Sequence, residues 1–263
     1  MQWPILTIGN VNLNRHRRTF LKALAACPLC AALKVEAQES RHWTYEGDAG
    51  SEKWGELDSA YQACGTGTEQ SPIDIKSYQM AAIEDLKFDW QPAAYPVANN
   101  GHTIQINVPS GSTLSLGTEQ FAFRQFHFHS PSEHSLNGER SAMEVHFVHA
   151  LGSKKFVVMA VLLKPGQRNE TFATLMGSAP GRLGTQPISQ PVDIKTLLPA
   201  SRAVFRYRGS LTTPPCTENV DWIVFENMVE VAQTDINIFK LIFPMNARPA
   251  QKVNRRFVLK GLI

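Results

Sequence analysis

The sequence predicts one mainly β domain of the α+β class, with a large, mostly antiparallel, twisted sheet and a few short surface helices. Three observations predict it. Short alternating or wholly apolar runs recur along the chain and are separated by Gly, Pro, Asn and Ser. No internal repeat or low-complexity linker divides residues 38–263. A length of 263 residues is also ordinary for a single all-β domain.

The individual elements follow from the spacing of the apolar residues. Residues 102–108 alternate and end at a Pro-Ser-Gly turn, so we expect a strand there, with residues 112–116 as its hairpin partner. Residues 156–163 are almost wholly apolar, which is typical of a strand buried on both faces. Further strands are predicted at 123–129, 142–149, 203–209 and 222–226, and short helices at 171–176 and 235–243.

Residues 1–37 are predicted to be an export signal of the twin-arginine type rather than part of the fold. Arg17 and Arg18 open the string RRTFLK, a weakly apolar stretch follows, and Val35-Glu36-Ala37 resembles a signal peptidase site. The mature domain, 38–263, is then periplasmic, with the signal removed near Ala37. Two alternatives stay open: a basic amphipathic first helix, and a lipoprotein site at Cys27.

Removal of this segment changes the charge balance. Residues 1–37 hold five of the 26 basic and one of the 23 acidic side chains, which leaves 21 basic and 22 acidic ones. The composition then gives no support for a nucleic-acid partner. No uninterrupted run of 18 apolar residues occurs, so no membrane-spanning helix is predicted.

Only two cysteines remain in the predicted mature chain, Cys64 and Cys216. An even, small number of cysteines in an exported protein predicts one disulfide. The alternative is two unrelated buried thiols.

Histidines crowd into one part of the chain: five of the seven in the predicted mature domain fall within residues 127–149. Successive side chains of a strand point to opposite faces, so His127 and His129 share one face of their strand. If the strand that carries His146 is a neighbour, the three imidazoles converge on one point. Three neutral imidazoles with an open fourth position are the ligand set of a catalytic zinc site.

Gln125 and Glu144 lie on the same strand faces as these histidines, two residues before His127 and His146. A metal-bound His usually donates its other ring N–H to a carboxylate or carbonyl, which fixes the ring's tautomer and orientation. We therefore expect Gln125 to orient His127 and Glu144 to orient His146. A structural salt bridge is the alternative for Glu144, but no basic neighbour is evident on that face.

Several short motifs occur in an order known from one enzyme family. The strings QFHFH, residues 125–129, and EVH, residues 144–146, are similar to the two zinc-binding strands of the α-class carbonic anhydrases. The other matching segments are His42-Trp43 with Tyr45, QSPIDI at 70–75, NGH at 100–102, SEH at 132–134, SLTTPPC at 210–216, Trp222 and residues 246–253. The chain thus resembles a bacterial, exported α-class carbonic anhydrase from about residue 42 to residue 260.

This resemblance implies reversible hydration of CO2 to bicarbonate and a proton by attack of a zinc-bound hydroxide. His127, His129 and His146 would hold Zn²⁺, a coordination for which carbonic anhydrase itself is a standard example. Thr212 would accept the proton of the hydroxide and donate its own to Glu133, an orientation effect.

The resemblance also assigns a proton path and a substrate site. His102 stands at the position of the family's proton shuttle, and Tyr45, Asn100 and Gln105 at positions that order water; His134 and His149 match no catalytic position. The residues expected at the CO2 site are Val148, Val158, Leu211, Thr213 and Trp222. Bacterial members pair cysteines at the places of Cys64 and Cys216, and they are often dimers, so a homodimer is the expected assembly.

Two other functions remain open at this stage. A catalytically silent carbonic-anhydrase-like binding domain is the first, although such domains typically lose a zinc histidine. A cupin-type metal oxygenase is the second, with Glu133 as a ligand beside His127, His129 and His146 and with iron or manganese as the metal. The Gly- and Pro-containing motif that normally accompanies the last cupin ligand is absent around His146.

Overall fold

The computed structural model describes residues 42–188 and 190–263. The predicted signal segment 1–37 and the alternative lipoprotein site at Cys27 lie outside the described residues. The described residues form sixteen strands: β1 Asp74–Ile75, β2 Gln79–Met80, β3 Leu86–Asp89, β4 Val97–Asn99, β5 Ile104–Asn107, β6 Thr113–Leu116, β7 Glu119–His129, β8 Ser135–Leu136, β9 Glu139–Arg140, β10 Met143–Leu151, β11 Lys155–Pro165, β12 Gly184–Gln186, β13 Ala203–Gly209, β14 Val220–Phe225, β15 Val229–Val231 and β16 Leu259–Leu262.

The helices are few and short. They are α1 Trp54–Leu57, α2 Ala63–Thr66, α3 Glu170–Gly177 and α4 Gln233–Ile242, with 3-10 helices at Gly47–Ala49, Ser59–Tyr61 and Ile194–Leu197. The two longest, α3 and α4, lie where the sequence predicts helices. Asn169 caps α3, because its side-chain oxygen accepts a hydrogen bond from Phe172 N. None of the described helices is long and apolar enough to cross a membrane.

Thirteen of the strands form one sheet in the order β12-β4-β5-β7-β10-β11-β14-β13-β16-β2, with β6 also paired to β7, β3 to β6 and β15 to β11. Most neighbours are antiparallel, and β11–β14, β11–β15 and β16–β2 are parallel. Strands β1, β8 and β9 make a small second sheet. The predicted fold class is confirmed.

The predicted hairpin between residues 102–108 and 112–116 is wrong. Strands β5 and β6 do not pair with each other; they pair one after the other along β7, β5 with residues 125–127 and β6 with 119–122. The 11 residues of β7 are long enough to take both partners. Pro109 lies in the connection and has no N–H to donate to a ladder. Strand β5 also begins only at Ile104, because the Asn100 side chain accepts hydrogen bonds from His102 N and Thr103 N and forms a turn.

The central strands β7 and β10 separate an apolar core from a polar site. Phe126, Phe128 and Phe147 point into the larger core and are fully buried. The intervening histidines of both strands face the other side of the sheet. The same alternation along β10 places His149 with Phe147 in the core, where its ring stacks on Phe123. The register skips Arg124 of β7 between the Val148–Gln125 and His149–Phe123 pairs. The alternation that the sequence predicted therefore places three histidines together on one face.

Candidate metal centre

The neighbouring strands β7 and β10 bring His127, His129 and His146 to one point. His127 and His146 are directly opposite in the β7–β10 register. The ring centroids lie 5.0 Å apart for His127 and His129, 5.3 Å for His127 and His146, and 4.6 Å for His129 and His146. One ligand atom from each ring lies within 4.8 Å of the others. The spacing suits three ligands of one metal ion.

Hydrogen bonds commit one nitrogen of each ring and leave the other free. His127 Nδ1 lies 2.8 Å from Gln125 Oε1, His129 Nδ1 lies 2.8 Å from the carbonyl oxygen of Asn246, and His146 Nε2 lies 2.7 Å from Glu144 Oε1. His129 Nε2 is buried with no hydrogen-bond partner among the described residues. A buried ring nitrogen without a partner is costly unless something else, such as a metal ion, occupies it. The donor set therefore fits zinc.

Metal binding requires neutral imidazoles. Burial lowers the pKa of His127 well below its ordinary value, and the neighbouring His129 and His146 lower it further. Burial also lowers the pKa of His129, although Glu133 acts in the opposite direction. These two rings are therefore held neutral.

The carboxylate of Glu144 is fully buried and accepts four hydrogen bonds. Its Oε1 lies 2.6 Å from His134 Nδ1 and 2.7 Å from His146 Nε2, and its Oε2 accepts from Glu133 N and His134 N at 2.8 Å each. Burial raises the pKa of this carboxyl, but His134 and His146 outweigh that effect and hold it well below its usual range. Glu144 thus orients His146 as a charged acceptor, and His134 lies between Glu144 and the Tyr207 hydroxyl, 2.7 Å away.

Glu133 is fully buried beside the three histidines. Its Oε1 accepts a hydrogen bond of 2.8 Å from Arg248 N. Its Oε2 has no hydrogen-bond partner among the described residues and lies 3.6 Å from His129 Nε2. Thr212 is buried, and its hydroxyl makes no hydrogen bond to Glu133 within the described part of the chain. One oxygen of Glu133 is therefore fixed, and the other is available to a donor.

An apolar wall lies beside the histidines on the same face of the sheet. Val148, Val158 and Trp222 are in register across β10, β11 and β14. Leu211 packs against the same cluster. The Trp222 ring lies 4.9 Å from the His146 ring, and its Nε1 donates to the carbonyl of Ser210. Four of the five residues expected at the CO2 site thus meet in one cluster, and Thr213 is half-buried in the adjoining loop.

The family model for eukaryotic-type carbonic anhydrases matches residues 49–261 of the chain. The chain belongs to this family, the α-class carbonic anhydrases. The predicted family and enzyme class are confirmed.

The similarity to bacterial carbonic anhydrases extends over nearly the whole chain. The chain is 37% identical to a carbonic anhydrase of Pectobacterium atrosepticum over 236 residues, 89% of this chain and 97% of that protein. It is 37% identical to one of Neisseria gonorrhoeae over 250 residues, 94% of this chain and 99% of that protein. Its structure is similar to the α-carbonic anhydrase of Thermovibrio ammonificans, solved with the inhibitor sulfanilamide, at a TM-score of 0.81 and 37% identity, covering 83% of this chain and 98% of that one.

His102, the residue that the resemblance assigns as the proton shuttle, lies half-buried against two aromatic rings. It stacks on Trp43 with 3.7 Å between ring centroids, and its ring centroid lies 5.2 Å from that of His42. Burial, and then the neighbouring His42, lower the pKa of His102 below its ordinary value. The His102 carbonyl accepts a hydrogen bond of 3.0 Å from Asn246 Nδ2, which links this segment to the metal centre.

The three residues expected to order water are Asn100, Gln105 and Tyr45. Asn100 Nδ2 donates to Gln105 Oε1 over 3.2 Å, and Gln105 stands opposite His127 in the β5–β7 register. Tyr45 packs edge-on against Trp43. Burial, and then the negative charge of Glu133, raise the pKa of Tyr45 well above its ordinary value.

The loop at residues 210–216 is tied down by a disulfide between Cys64 and Cys216, as predicted. The two Cα atoms lie 5.0 Å apart and are separated by 152 residues. Cys216 N donates to Thr213 O over 2.9 Å, so the bridge reaches Thr213 through one hydrogen bond. Gln70 Nε2 donates to the carbonyl of Cys216 over 3.0 Å.

Two residues of the centre were not singled out from the sequence. Asn246 supplies the carbonyl that orients His129, and its side chain accepts from Ser130 N and donates to the carbonyl of Phe128. Arg248 is buried; its main chain fixes Glu133, and its guanidinium donates to the carbonyl of Cys64 over 2.9 Å. A backbone carbonyl or N–H carries no signature of residue type, so only the resemblance at 246–253 pointed to this segment.

Proposed function

We propose that the chain is a zinc-dependent carbonic anhydrase that hydrates CO2 to bicarbonate and a proton, with His127, His129 and His146 as the metal ligands. The observation that carries this proposal is the free nitrogen left on each ring once its other nitrogen is committed. A zinc ion lowers the pKa of a bound water to about 7 and so supplies hydroxide at neutral pH, chemistry for which carbonic anhydrase itself is the reference case.

Glu133 and Thr212 orient the attacking oxygen. Because Arg248 N already occupies Oε1 of Glu133, its Oε2 is the oxygen open to the Thr212 hydroxyl. A hydroxyl has one proton to donate, so a Thr212 that donates to Glu133 can only accept from the attacking oxygen. That oxygen is then held with a lone pair directed at the carbon atom of the substrate.

The apolar wall beside His146 receives CO2. Val148, Val158, Leu211 and Trp222 present no charge to the site, and CO2 is an uncharged, apolar molecule. Thr213, one residue after Thr212, lies at the edge of this wall. Bicarbonate is charged and gains nothing from these side chains, which favours its release.

His102 carries the proton between the centre and the solvent. Its pKa lies below the ordinary value because of burial, so its ring is neutral at pH 7 and can accept a proton. Gln105, which is opposite His127 in the β5–β7 register, would hold the intervening water together with its hydrogen-bond partner Asn100 and with Tyr45.

We further infer that residues 1–37 direct export to the periplasm and are removed near Ala37. The disulfide supports this, because such bonds persist in oxidising compartments. With Arg17 and Arg18 both changed to Lys, precursor should accumulate inside the cell. Mass spectrometry of the periplasmic protein should find a chain starting near Gln38, and a lipidated start at Cys27 would contradict this.

A homodimer is carried over from the family by resemblance alone, and sedimentation of the mature chain tests it.

A stopped-flow CO2 hydration assay on the purified chain tests the proposed function. We expect activity that is lost on removal of metal with a chelator and is restored by Zn²⁺. A folded, zinc-loaded chain without activity would instead indicate a silent binding domain. Stoichiometric iron with little zinc in the native protein, together with no CO2 hydration, would favour the oxygenase alternative.

A further inference from the structure

We propose that a second site, a groove that contains none of the three histidines of the metal centre, binds small organic anions that carry an apolar body. The groove has a volume of about 960 Å³ and lies between β13 and residues 254–259. This volume is at the upper end of the range of about 300–1,000 Å³ that is usual for ligand pockets. The proposal does not rest on the proposed function.

Positive charge is in excess in this groove. Four arginines line it, Arg206, Arg208, Arg255 and Arg256, against two carboxylates, Glu69 and Asp221. Asp221 is already committed, because it forms a two-pronged ion pair with Arg206, which also contacts Glu84. Among the described residues, no carboxylate lies within 4.0 Å of the guanidinium groups of the other three arginines. The groove thus offers three arginines without an ion-pair partner.

Arg256 is the fixed element of this site. Its guanidinium donates to the carbonyl oxygens of Val253, Arg208 and Lys252 at 3.0, 3.0 and 2.7 Å, and it lies over the Tyr207 ring, 5.5 Å from the centroid. A guanidinium has five N–H donors, so two remain for a ligand. The group is half-buried, its hydrogen bonds go only to carbonyl oxygens, and such a charge is stabilised when an anion joins it.

The same groove exposes apolar surface. The Phe257 ring is 69% exposed, and Leu259 and the Tyr207 ring lie beside it. A ligand that covers exposed aromatic surface of this kind removes it from water, which favours binding. A small anion such as bicarbonate would satisfy the arginines and leave Phe257 bare. The combination therefore selects an aromatic or aliphatic carboxylate, sulfonate or phosphate whose apolar part covers Phe257.

Isothermal titration calorimetry of the zinc-loaded mature chain with 2-naphthoate tests the proposal. We expect 2-naphthoate to bind at least ten-fold more tightly than the neutral 2-naphthylmethanol, and its affinity to fall with added salt. Because Arg208 and Arg255 are exposed, the double variant R208Q/R255Q should fold, keep its CO2 hydration rate and lose at least ten-fold in affinity for 2-naphthoate. Arg124→Gln, an exposed arginine on β7 outside the groove, is the matched control and should bind normally.

Phe257→Ser tests the apolar contribution independently. It should weaken 2-naphthoate binding while leaving the weak binding of acetate unchanged. Equal affinity of 2-naphthoate for the native chain and for R208Q/R255Q would overturn the proposal, because the anion would then bind elsewhere, at the metal centre for example. Absence of binding at millimolar 2-naphthoate would overturn it as well.

Discussion

At the scale of single residues, the centre depends on side chains that hold others in place. Glu144 shows this best, since each of the two oxygens of its carboxylate accepts two hydrogen bonds. A carboxylate is the only side chain of this size with two acceptor oxygens. The role of Glu144 is therefore to fix both the tautomer of His146 and the main chain at Glu133.

Glu144→Gln should weaken zinc retention by roughly ten- to a hundred-fold, the usual effect of losing a partner of a metal ligand. The amide has one acceptor oxygen, so either His146 and His134 or the two main-chain N–H groups lose their acceptor. Competition with a chromophoric chelator measures the dissociation constant. A variant that folds and holds zinc as tightly as the native chain would show that Glu144 does not orient His146.

His102→Ala should lower kcat by on the order of ten-fold or more in dilute buffer, and spare kcat/KM. The reason is that attack on CO2 sends no proton to the solvent, whereas regeneration of the hydroxide does. Added imidazole should restore much of the rate, because a soluble base can carry the proton instead. His149→Ala, a buried histidine outside the site, should show no rescue. If kcat is unchanged at low buffer in a folded, zinc-loaded His102→Ala chain, His102 is not the shuttle.

At the scale of elements, the disulfide joins α2 to the loop that carries Thr212. It closes a span of 152 residues, and in the chain-entropy model such a link stabilises the folded state by up to about 5 kcal/mol. The hydrogen bond from Cys216 N to Thr213 O also ties the bridge to the loop conformation.

Replacement of Cys64 and Cys216 by Ser should therefore lower both Tm and CO2 hydration. Differential scanning calorimetry and the stopped-flow assay measure the two effects. The matched control is the native chain under the same reducing and oxidising conditions. Two free thiols titrated in native, oxidised protein would contradict the pairing, and an unchanged rate in the double variant would show that the bridge does not hold the loop.

The sequence was informative about β7 and β10 because their alternation has a period of two residues and charged or apolar residues mark each face. It therefore predicted that His127, His129 and His146 share one side of the sheet. The predicted pairing of β5 with β6 was wrong, because the partner of each strand depends on the length of β7 and not on the turn at Pro109 alone. The acceptor for His129 could not be predicted from residue type, since Asn246 contributes a main-chain carbonyl 117 residues away.

At the scale of the whole molecule, one histidine that the chemistry does not use links stability to pH. His149 lies in the core against Phe123 and Trp90, and burial lowers its pKa from 6.5 to about 3. The unfolded chain binds a proton at this position below pH 6.5, and the folded chain does not until about pH 3. The free energy of unfolding therefore falls as the pH drops through this window, by up to about 1.4 kcal/mol per pH unit.

His149→Leu should remove this contribution, so the variant's stability should fall less steeply than that of the native chain between pH 6.5 and 4. Urea denaturation across this range measures the slope. Arg124→Gln, a change at an exposed residue that leaves every histidine in place, should retain the native slope. Parallel pH profiles for the native chain and His149→Leu would show that His149 is not held neutral by the core.

The zinc content of the purified chain and its histidine variants, measured by inductively coupled plasma mass spectrometry, tests the central claim most directly. We predict one zinc ion per native chain, loss of most of it in His127→Ala, His129→Ala and His146→Ala, and retention in His149→Ala. This result follows if the rings of His127, His129 and His146 are the ligands and His149 belongs to the core. Stoichiometric iron with little zinc in the native chain, or zinc that survives all three substitutions, would contradict the account.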